Sequence, residues 1–379
     1  MKIILRSAAI AALVVLASCG KDDNGGSAGE MDEQAELLEQ TPLEANTVAD
    51  NVVIQGATKE EGTPPTPNDA ITMDISNTGK SAFQDVGFVV NVSSNASLAG
   101  AYLRFKDVDG AFADTYYNID LSDNLSKKKP LLQSRLGKPN RTLQSKTDDA
   151  QFQIGFNSTI KPGKFCYEIC VYDANGNISN PQEVCVTVES WGGNTAVVGE
   201  WKMETWVDNN YPEDLYEAGV EKCDTDEKSI SCVEGSLTVT FMREFCQEFE
   251  YQNIIINADG TYSENESSTS TSKPLSITEP EEMTLENIGL LCNENAYERS
   301  DLYVHEGSGK WSYLAEENKI VFVQFMAKET FEYNGEVEIY PIEEPYLWYG
   351  SGNANGELKL IDGKLVLSSF EETTSTFIK

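Results

Sequence analysis

Short runs rich in β-branched and aromatic residues recur along the first half of the chain, with Gly, Pro, Asn and Asp between them. No segment between the runs makes a convincing helix. The runs cover residues 70–75, 86–92, 101–105, 116–121, 152–156, 165–172 and 184–188. About seven or eight short strands without helices predict a β-sandwich over residues 49–190.

The last two runs predict a hairpin and a disulfide. An antiparallel register that pairs Asp173 with Gln182 puts six apolar or aromatic residues on one face, namely Tyr167, Ile169, Val171, Val184, Val186 and Val188. One half-buried face is what an antiparallel pair requires. The same register sets Cys170 opposite Cys185 on the other face, which predicts a cross-strand disulfide and leaves Cys166 as an odd thiol.

A second set of strand patterns begins at Gly199, Glu200 and Trp201. Its clearest hairpin covers residues 356–370, where Asp362 and Gly363 form a two-residue turn. Pairing Ile361 with Lys364 sets four leucines on one face, Leu358, Leu360, Leu365 and Leu367. Roughly eight to ten strands are expected over residues 197–379, enough to close an antiparallel barrel.

The N-terminus differs from the rest of the chain. Lys2 and Arg6 precede an apolar run at residues 8–17 that ends in Leu16, Ala17, Ser18 and Cys19. The run is roughly ten residues long, too short for a membrane-crossing helix, which needs ~20. This pattern predicts a lipoprotein signal peptide over residues 1–18, cleaved before Cys19, whose thiol and new amino group are acylated.

Residues 19–48 are rich in Gly, Asp, Glu and Gln and are interpreted as a flexible tether. The acidic cluster of Lys21, Asp22 and Asp23 resembles the export tag of surface-displayed lipoproteins in the Bacteroidota. That resemblance implies the outer leaflet of the outer membrane. An ordinary solvated tether remains the alternative.

The formal net charge is −34, and loss of Lys2 and Arg6 with the leader makes the mature chain more acidic. A polyanion would be repelled by this field, so nucleic acid is excluded as a partner. Residues 126–146 are the exception, because they carry seven basic residues and no acid. They are interpreted as a long solvated loop, with docking of an acidic partner as the alternative.

Two resemblances bear on the fold. Residues 162–165 and 172–179 resemble the final hairpin of immunoglobulin-like and fibronectin type III-like domains of bacterial surface proteins, which implies a scaffold. Residues 199–201, 257–262 and 309–311 look like the lipocalin-like domains of Bacteroidota lipoproteins. The expected fold is therefore all-β, with an N-terminal immunoglobulin-like β-sandwich followed by a lipocalin-like antiparallel β-barrel.

The lipocalin-like resemblance also implies site residues. Trp201 would close one end of the barrel, and Cys246 would pair with Cys292, which leaves Cys223 and Cys232 as a local disulfide. Residues 263–300 depart from the family pattern as a long polar insert, helical over 280–290, that could form a lid.

Catalytic signatures are weak. The only histidine, His305, precedes Glu306 and Gly307 and is interpreted as a solvated turn residue, because no nucleophile motif accompanies it. Two Asp-rich turns, residues 107–110 and 173–177, offer oxygen ligands, but neither completes an EF-hand. We expect no catalytic residue, no metal and no cofactor. Tyr346, Trp348 and Tyr349 could form a glycan-stacking platform, although aromatic residues at a strand end favour the barrel core.

These patterns predict a noncatalytic binding protein anchored by lipid to the outer membrane, on the cell surface, with a small apolar or saccharide ligand in the barrel. One alternative is a structural or accessory subunit that docks on a membrane-protein partner. A weaker alternative is a carboxylate-based hydrolase.

Overall fold

The computed structural model describes residues 33–54, 56–75, 80–121, 149–157, 160–232, 237–279, 299–333, 335–342, 346–349, 356–369 and 373–379. These residues form an all-β structure with two short helices, α1 (Glu33–Glu39) and α2 (Ala45–Asn51). The predicted all-β class is therefore confirmed.

Ten strands precede residue 190. They are β1 (Val52–Ile54), β2 (Ala57–Glu61), β3 (Met73–Ile75), β4 (Ser81–Phe83), β5 (Phe88–Ser94), β6 (Leu98–Lys106), β7 (Thr115–Asp120), β8 (Asp149–Phe156), β9 (Gly163–Asp173) and β10 (Gln182–Glu189). Each of the seven predicted runs overlaps a strand.

These strands form two sheets, one in the order β1-β8-β5-β3 and the other in the order β2-β7-β6-β9-β10-β4. Both sheets contribute to one hydrophobic cluster. At its centre, the ring of Phe88 lies 5.9 Å from Phe165 and 5.6 Å from Tyr167, measured between centroids. Burial of such aromatic side chains is the main stabilising contribution of this half.

The predicted tether differs from the structure over residues 33–48. Val48 and Ala49 of α2 lie in the hydrophobic cluster of the two sheets. The Glu39 side chain at the end of α1 accepts a hydrogen bond from the backbone N–H of Ser190 at 2.8 Å. Apolar residues at positions 43, 45, 48 and 49 supply the burial that composition alone obscured.

The predicted register of β9 and β10 is wrong by four residues. Cys185 pairs with Cys166, and Gln182 pairs with Ile169. The reason is the connection between the strands: the Asp173 carboxylate accepts hydrogen bonds from the backbone N–H groups of Asn175 and Asn177, both at 2.9 Å. This turn, closed on the strand by a bridge from Tyr172 to Ile178, makes the loop longer than a tight hairpin allows.

The disulfide assignments change accordingly. Cys185 is bonded to Cys166, and Cys170 is the buried free thiol. Burial raises the pKa of the Cys170 thiol to about 11, so it is protonated at neutral pH.

Twelve strands follow residue 198. They are β11 (Gly199–Asp208), β12 (Tyr211–Glu217), β13 (Lys222–Cys232), β14 (Leu237–Ile256), β15 (Thr261–Glu279), β16 (Arg299–Leu314), β17 (Lys319–Tyr333), β18 (Glu336–Ile342), β19 (Tyr346–Tyr349), β20 (Gly356–Ile361), β21 (Lys364–Ser369) and β22 (Thr373–Ile378).

Eight of these strands close a ring in the order β11-β22-β21-β20-β17-β16-β15-β14, with β14 pairing back onto β11. The predicted antiparallel barrel is therefore confirmed. The predicted register of β20 and β21 is also right, since Ile361 pairs with Lys364 and Leu358 with Leu367. Leu358, Leu365 and Leu367 are buried, and Leu360 packs against the same barrel core.

The two ends of the barrel differ, and we call them the closed end, beside the turn that precedes β11, and the open end, where strands run on beyond the closure of the ring. At the closed end, a 3₁₀ turn (Thr195–Val197) precedes β11, and the indole Nε1 of Trp201 donates to the carbonyl of Val197 at 2.7 Å. At the other end, β14 to β17 run on beyond the closure between Gly199–Lys202 and residues 253–256. Residues 263–279, predicted as part of an insert, belong to the long strand β15, whereas 280–298 lie outside the described residues.

Cys223 on β13 is bonded to Cys246 on β14, opposite it in the ladder. Both predicted pairings, Cys246 with Cys292 and Cys223 with Cys232, are therefore wrong. The local strand register, which the family resemblance does not specify, determines the partner. Cys292 itself lies outside the described residues.

We expect disulfide mapping under nonreducing conditions to recover peptides that link Cys166 to Cys185 and Cys223 to Cys246. Cys170 should be alkylated only after denaturation, because its thiol is buried and protonated. Recovery of a peptide that links Cys170 to Cys185 would contradict the register described above.

The two halves pack directly against each other. Phe83 and Val86 of the first half form a hydrophobic cluster with Leu314, Val321 and Val323 on the outer face of the barrel. Polar contacts surround it: Lys310 Nζ lies 2.9 Å from the Asp85 carboxylate, and the Ser312 hydroxyl donates to the carbonyl of Ser190 at 2.8 Å. The segment that joins the halves is therefore part of a packed interface.

Among the described residues, no helix has both the length and the apolar character needed to span a membrane.

Candidate functional site

The inward face of the barrel changes from apolar to polar along strand β15. Tyr262 lies in the barrel core, and its ring stacks on Phe322 with the centroids 4.2 Å apart. Because alternate residues of a strand share a face, Glu264 and Glu266 also face inward. Glu264 is 6% exposed, and a carboxylate so deeply buried requires hydrogen-bond partners.

Strand β16 repeats this change. Trp311 lies in the barrel core, and the inward positions that follow are Gly309, Gly307 and His305. His305 is 1% exposed. On β17, Gln324 follows the core residue Phe322 and is fully buried. The three strands therefore carry polar residues in neighbouring rows next to the aromatic core, and we call Glu264, Glu266, His305 and Gln324 the polar layer.

Three side chains of this layer meet. The Gln324 Nε2 donates to Glu264 Oε1 at 3.0 Å, and His305 Nε2 lies 3.2 Å from the same oxygen. The nitrogens of Gln324 and His305 are 3.2 Å apart. We call Glu264, His305 and Gln324 the polar cluster.

Burial and charge oppose each other at His305. Burial alone lowers the pKa of His305, but the hydrogen bond to Glu264 and the charges of Glu264, Glu266 and Glu329 outweigh it and raise the pKa above its ordinary value. The imidazole therefore holds a proton more tightly than a free histidine does. A protonated Nε2 can donate to Glu264.

The pKa of the neighbouring carboxyl, Glu266, is also shifted by burial and by nearby charges. Burial raises the pKa of Glu266 to about 7; the charge of His305 acts against this shift and that of Glu264 adds to it. Burial likewise raises the pKa of Tyr303 above its usual range, and the charges of Glu266, Glu329 and Glu264 raise it further. The polar layer therefore gathers carboxyl groups in a low dielectric, where burial and the charge of Glu264 favour the protonated form of Glu266.

Gly307 makes room for the polar cluster. A Cβ atom at this position would lie 1.9 Å from Gln324 Nε2, 2.8 Å from Glu264 Oε1 and 2.9 Å from His305 Nε2. The absence of a side chain at residue 307 is thus a condition for the three groups to meet.

We expect Gly307→Ala to lower the free energy of unfolding by about 1 to 3 kcal/mol, because Gln324 and Glu264 must swing away and lose buried hydrogen bonds. Urea denaturation followed by tryptophan fluorescence measures the loss. Ser308→Ala, one residue on and facing outward, is the matched control. Equal losses in the two variants would show that the polar cluster contributes nothing.

Aromatic side chains form two groups on strands beyond the point where β11 pairs with β14. Trp206, Tyr216 and Phe249 form one group, with centroids 5.3 to 5.7 Å apart. On the wall opposite in the ring order, Tyr303 and Phe331 lie 5.0 Å apart. The open end therefore joins π-faces to the carboxylates of the polar layer.

His305 corrects a prediction made from the sequence. It lies within strand β16 and is buried, so the expectation of a solvated turn residue is wrong. The adjacent Gly307 indicated a turn, whereas in the structure it is an inward strand position. The signal that could have revealed the site is the pair Glu264 and Glu266, alternating acids that continue a strand pattern from Tyr262.

The other predicted site residues have different positions. Trp201 lies in the barrel core, 1% exposed, beside the closed end. Tyr346, Trp348 and Tyr349 belong to β19, which pairs with β17, but their side chains are outside the described part of the structure. Cys19, Cys292 and the basic tract 126–146 also lie outside the described residues.

An acidic cleft of about 410 Å³ lies between α1, β10 and the turn that joins β16 to β17. Its lining includes Glu39, Glu189, Glu316 and Glu317, together with Lys80 and Lys164. Burial raises the pKa of Glu189 to about 8; a hydrogen bond from Ser81 opposes the shift and the charges of Glu39, Glu316 and Glu317 add to it. At neutral pH this carboxyl is mostly protonated.

Two groupings in the described part of the chain bring Cys and Glu ligand atoms within 4.8 Å of one another. They are Glu183 with Cys166 and Cys185, and Glu221 with Cys223 and Cys246. In both, the cysteines are joined in a disulfide and offer no thiolate to a metal ion.

No protein-family model, no curated protein and no solved structure matches this chain.

Proposed function

We propose that this chain is a noncatalytic binding protein, anchored by lipid at Cys19 to the outer membrane and displayed on the cell surface. The signal pattern of residues 1–19 supports the anchor, and the acidic residues after Cys19 support surface display. Two disulfides are in keeping with a location outside the cytosol.

The polar cluster is the observation that carries the binding role. Burying Glu264, His305 and Gln324 costs free energy that an apolar barrel core would avoid. Such a cost is unexplained if the barrel is only a scaffold. It is explained if the cluster receives a ligand through the open end, since an eight-stranded barrel is wide enough to hold one small molecule.

The proposal includes a lipocalin-like identity for the barrel and an immunoglobulin-like identity for the first half. The closed eight-strand ring with Trp201 at one end supports the first. The two sheets around one hydrophobic cluster support the second. In this arrangement the first half is a scaffold for the barrel, and the barrel binds the ligand.

The ligand has an apolar or saccharide body. The aromatic groups at the open end, Trp206 with Phe249 and Tyr303 with Phe331, offer flat faces for an apolar ring or for the apolar face of a sugar. The acceptors of the polar layer would then take the ligand's donors.

Native mass spectrometry tests the binding role. Protein purified from its own membranes in mild detergent should carry a small molecule that is released on gentle denaturation. The double variant Glu264→Gln, Gln324→Leu should lose it, whereas the control Glu306→Gln, on the outer face of β16, should retain it. A protein recovered with no bound molecule under any mild condition would contradict the proposal.

Two further measurements test the location. Cys19→Ala should abolish metabolic labelling with a fatty acid, since the acylated thiol is gone. Protease treatment of intact cells should remove the folded part of the wild-type protein. Labelling that persists in the variant, or full protection from protease, would contradict the anchor or the surface display, respectively.

The accessory-subunit alternative rests on one observation. Val337 and Ile339 on the edge strand β18 are 56% and 55% exposed, and Met326 on β17 is 64% exposed. Exposed apolar residues on a strand edge favour contact with another protein. Crosslinking in whole cells would recover a single outer-membrane partner if this surface docks, and no crosslinked product if it does not.

A further inference from the structure

The carboxylates of the polar layer exceed their positive partners. Glu266 on β15 and Glu329 on β17 are the cross-strand neighbours of His305, and Glu264 Oε1 lies 3.2 Å from its Nε2. Nearby lysines are engaged elsewhere: Lys328 Nζ lies 3.3 Å from the outward Glu306, and Lys310 pairs with Asp85. Even a protonated His305 neutralises only one carboxylate. A carboxyl excess of this kind is offset by protonation, as the raised pKa of Glu266 shows, or by a positive partner.

Gln324 gives a second, independent indication. Its Nε2 contacts Glu264 and His305, but its Oε1 is buried and has no hydrogen-bond partner among the described residues. The side chain is 0% exposed, so bulk water does not satisfy this oxygen. An unfilled buried acceptor destabilises the folded protein unless a donor reaches it. The missing group is therefore a donor.

The aromatic residues beside the layer favour a cation. Tyr303 and Phe331 offer π-faces 5.0 Å apart, and protein cations already lie on neighbouring rings. Arg299 lies 5.1 Å from the ring of Tyr333, and Lys222 lies 4.8 Å from the ring of Tyr216. The negative face of an aromatic ring attracts ammonium groups in the same way.

We infer that the ligand carries a cationic nitrogen, a primary ammonium group, which binds in the polar layer among Glu264, Glu266 and Glu329 and donates to Gln324 Oε1. This inference rests on the proposed binding role and specifies its ligand class as an organic cation with an apolar or saccharide body. A bare metal ion fits less well, because these groups are not among the described groupings whose ligand atoms all lie within 4.8 Å of one another.

Two matched pairs of probes test the charge. The first pair is 2-phenylethylammonium and 2-phenylethanol, and the second is protonated glucosamine and glucose. The two molecules of a pair share the same carbon skeleton, and an ammonium group in one replaces a hydroxyl group in the other. Isothermal titration calorimetry on the full mature chain in detergent should give, for one pair, an affinity for the cation at least about tenfold above that of its neutral partner.

The variant Glu266→Gln should remove most of this preference, and Glu306→Gln, which changes an outward carboxylate on β16, should leave it within about twofold. Thermal midpoints of both variants check that they fold. Glu329→Gln is the second test variant if Glu266→Gln unfolds.

The outcomes separate the two proposals. Equal binding of cation and neutral probe, or a preference that survives in both test variants, would overturn the cationic class while leaving the binding role intact. Competition by calcium chloride at matched ionic strength would assign the layer to a metal ion and overturn the inference. If no probe binds, the inference that the ligand is an organic cation of this size is wrong. Native mass spectrometry then decides separately whether the barrel binds any small molecule.

Discussion

Replacement of Trp201 by alanine is expected to lower the free energy of unfolding of the barrel by about 3 to 5 kcal/mol. The side chain is 1% exposed and packs in the barrel core. In the wild type the carbonyl of Val197 accepts a hydrogen bond from the indole at 2.7 Å. Removal of the side chain leaves this carbonyl unpaired and a cavity at the closed end. Guanidinium denaturation, followed by near-UV circular dichroism, measures the loss.

Two variants make this result specific. Trp206→Ala, on the same strand but half-buried at the open end, should cost clearly less. The loss of unfolding free energy in Trp201→Phe should lie between the losses in Trp201→Ala and Trp206→Ala, because phenylalanine keeps most of the apolar contact and loses the hydrogen bond. A loss in Trp201→Ala no greater than that in Trp206→Ala would contradict a role for Trp201 in closing the barrel.

Glu189→Gln is expected to stabilise the protein at pH 8 and to have little effect at pH 4. Burial, the largest cause, raises the pKa of Glu189 from 4.5 to about 8. Below pH 4.5 the carboxyl is protonated in both the folded and the unfolded chain. Between 4.5 and about 8 the unfolded chain loses its proton first, so the wild type loses stability as the pH rises.

Glutamine does not titrate, and the variant escapes this loss. At about 1.4 kcal/mol per pKa unit the gain at pH 8 is on the order of 4 kcal/mol. Urea denaturation at the two pH values measures it, and Glu316→Gln, an exposed change in the same cleft, is the control. A stability difference that is the same at both pH values would mean that Glu189 is ionised in the folded protein.

Local pattern was sufficient where the turn is tight. The two-residue turn at Asp362 and Gly363 leaves one register for β20 and β21, and the predicted pairs are the observed ones. Asp362 has a positive φ of 50° and Gly363 one of 77°, as the turn requires. In such a hairpin the sequence carries all the information that the ladder needs.

The hairpin of β9 and β10 shows where this reasoning ends. An error of four residues keeps the alternation of faces, so Tyr167, Val186 and Val188 are buried as predicted. The same error changes the cross-strand partner of every residue, so the prediction paired Cys185 with Cys170 and not with Cys166. The Asp173 turn, which absorbs the extra loop residues, depends on side-chain hydrogen bonds that residue spacing does not reveal.

The polar cluster could not be predicted because its members come from three strands and are separated by up to 60 residues. A bulge between Ser308 and Gly309 shifts the ladder of β16 and β17. Gln324 pairs with Gly309, whereas Glu264 pairs with Gly307, so the three side chains meet across neighbouring rows of the sheet. A single acidic residue in a strand, or a single histidine, does not indicate from the sequence that these side chains are in contact.

The packing between the two halves determines which way the barrel points. The chain enters at α1, where Ala35 lies beside Gly193, and Gly192 in turn lies against Gly260 at the closed pole. Strand β14, with its 20 residues, extends about 60 Å from that pole. The chain therefore reaches the barrel beside its closed pole, and the other end of β14 lies on the far side of the barrel from α1.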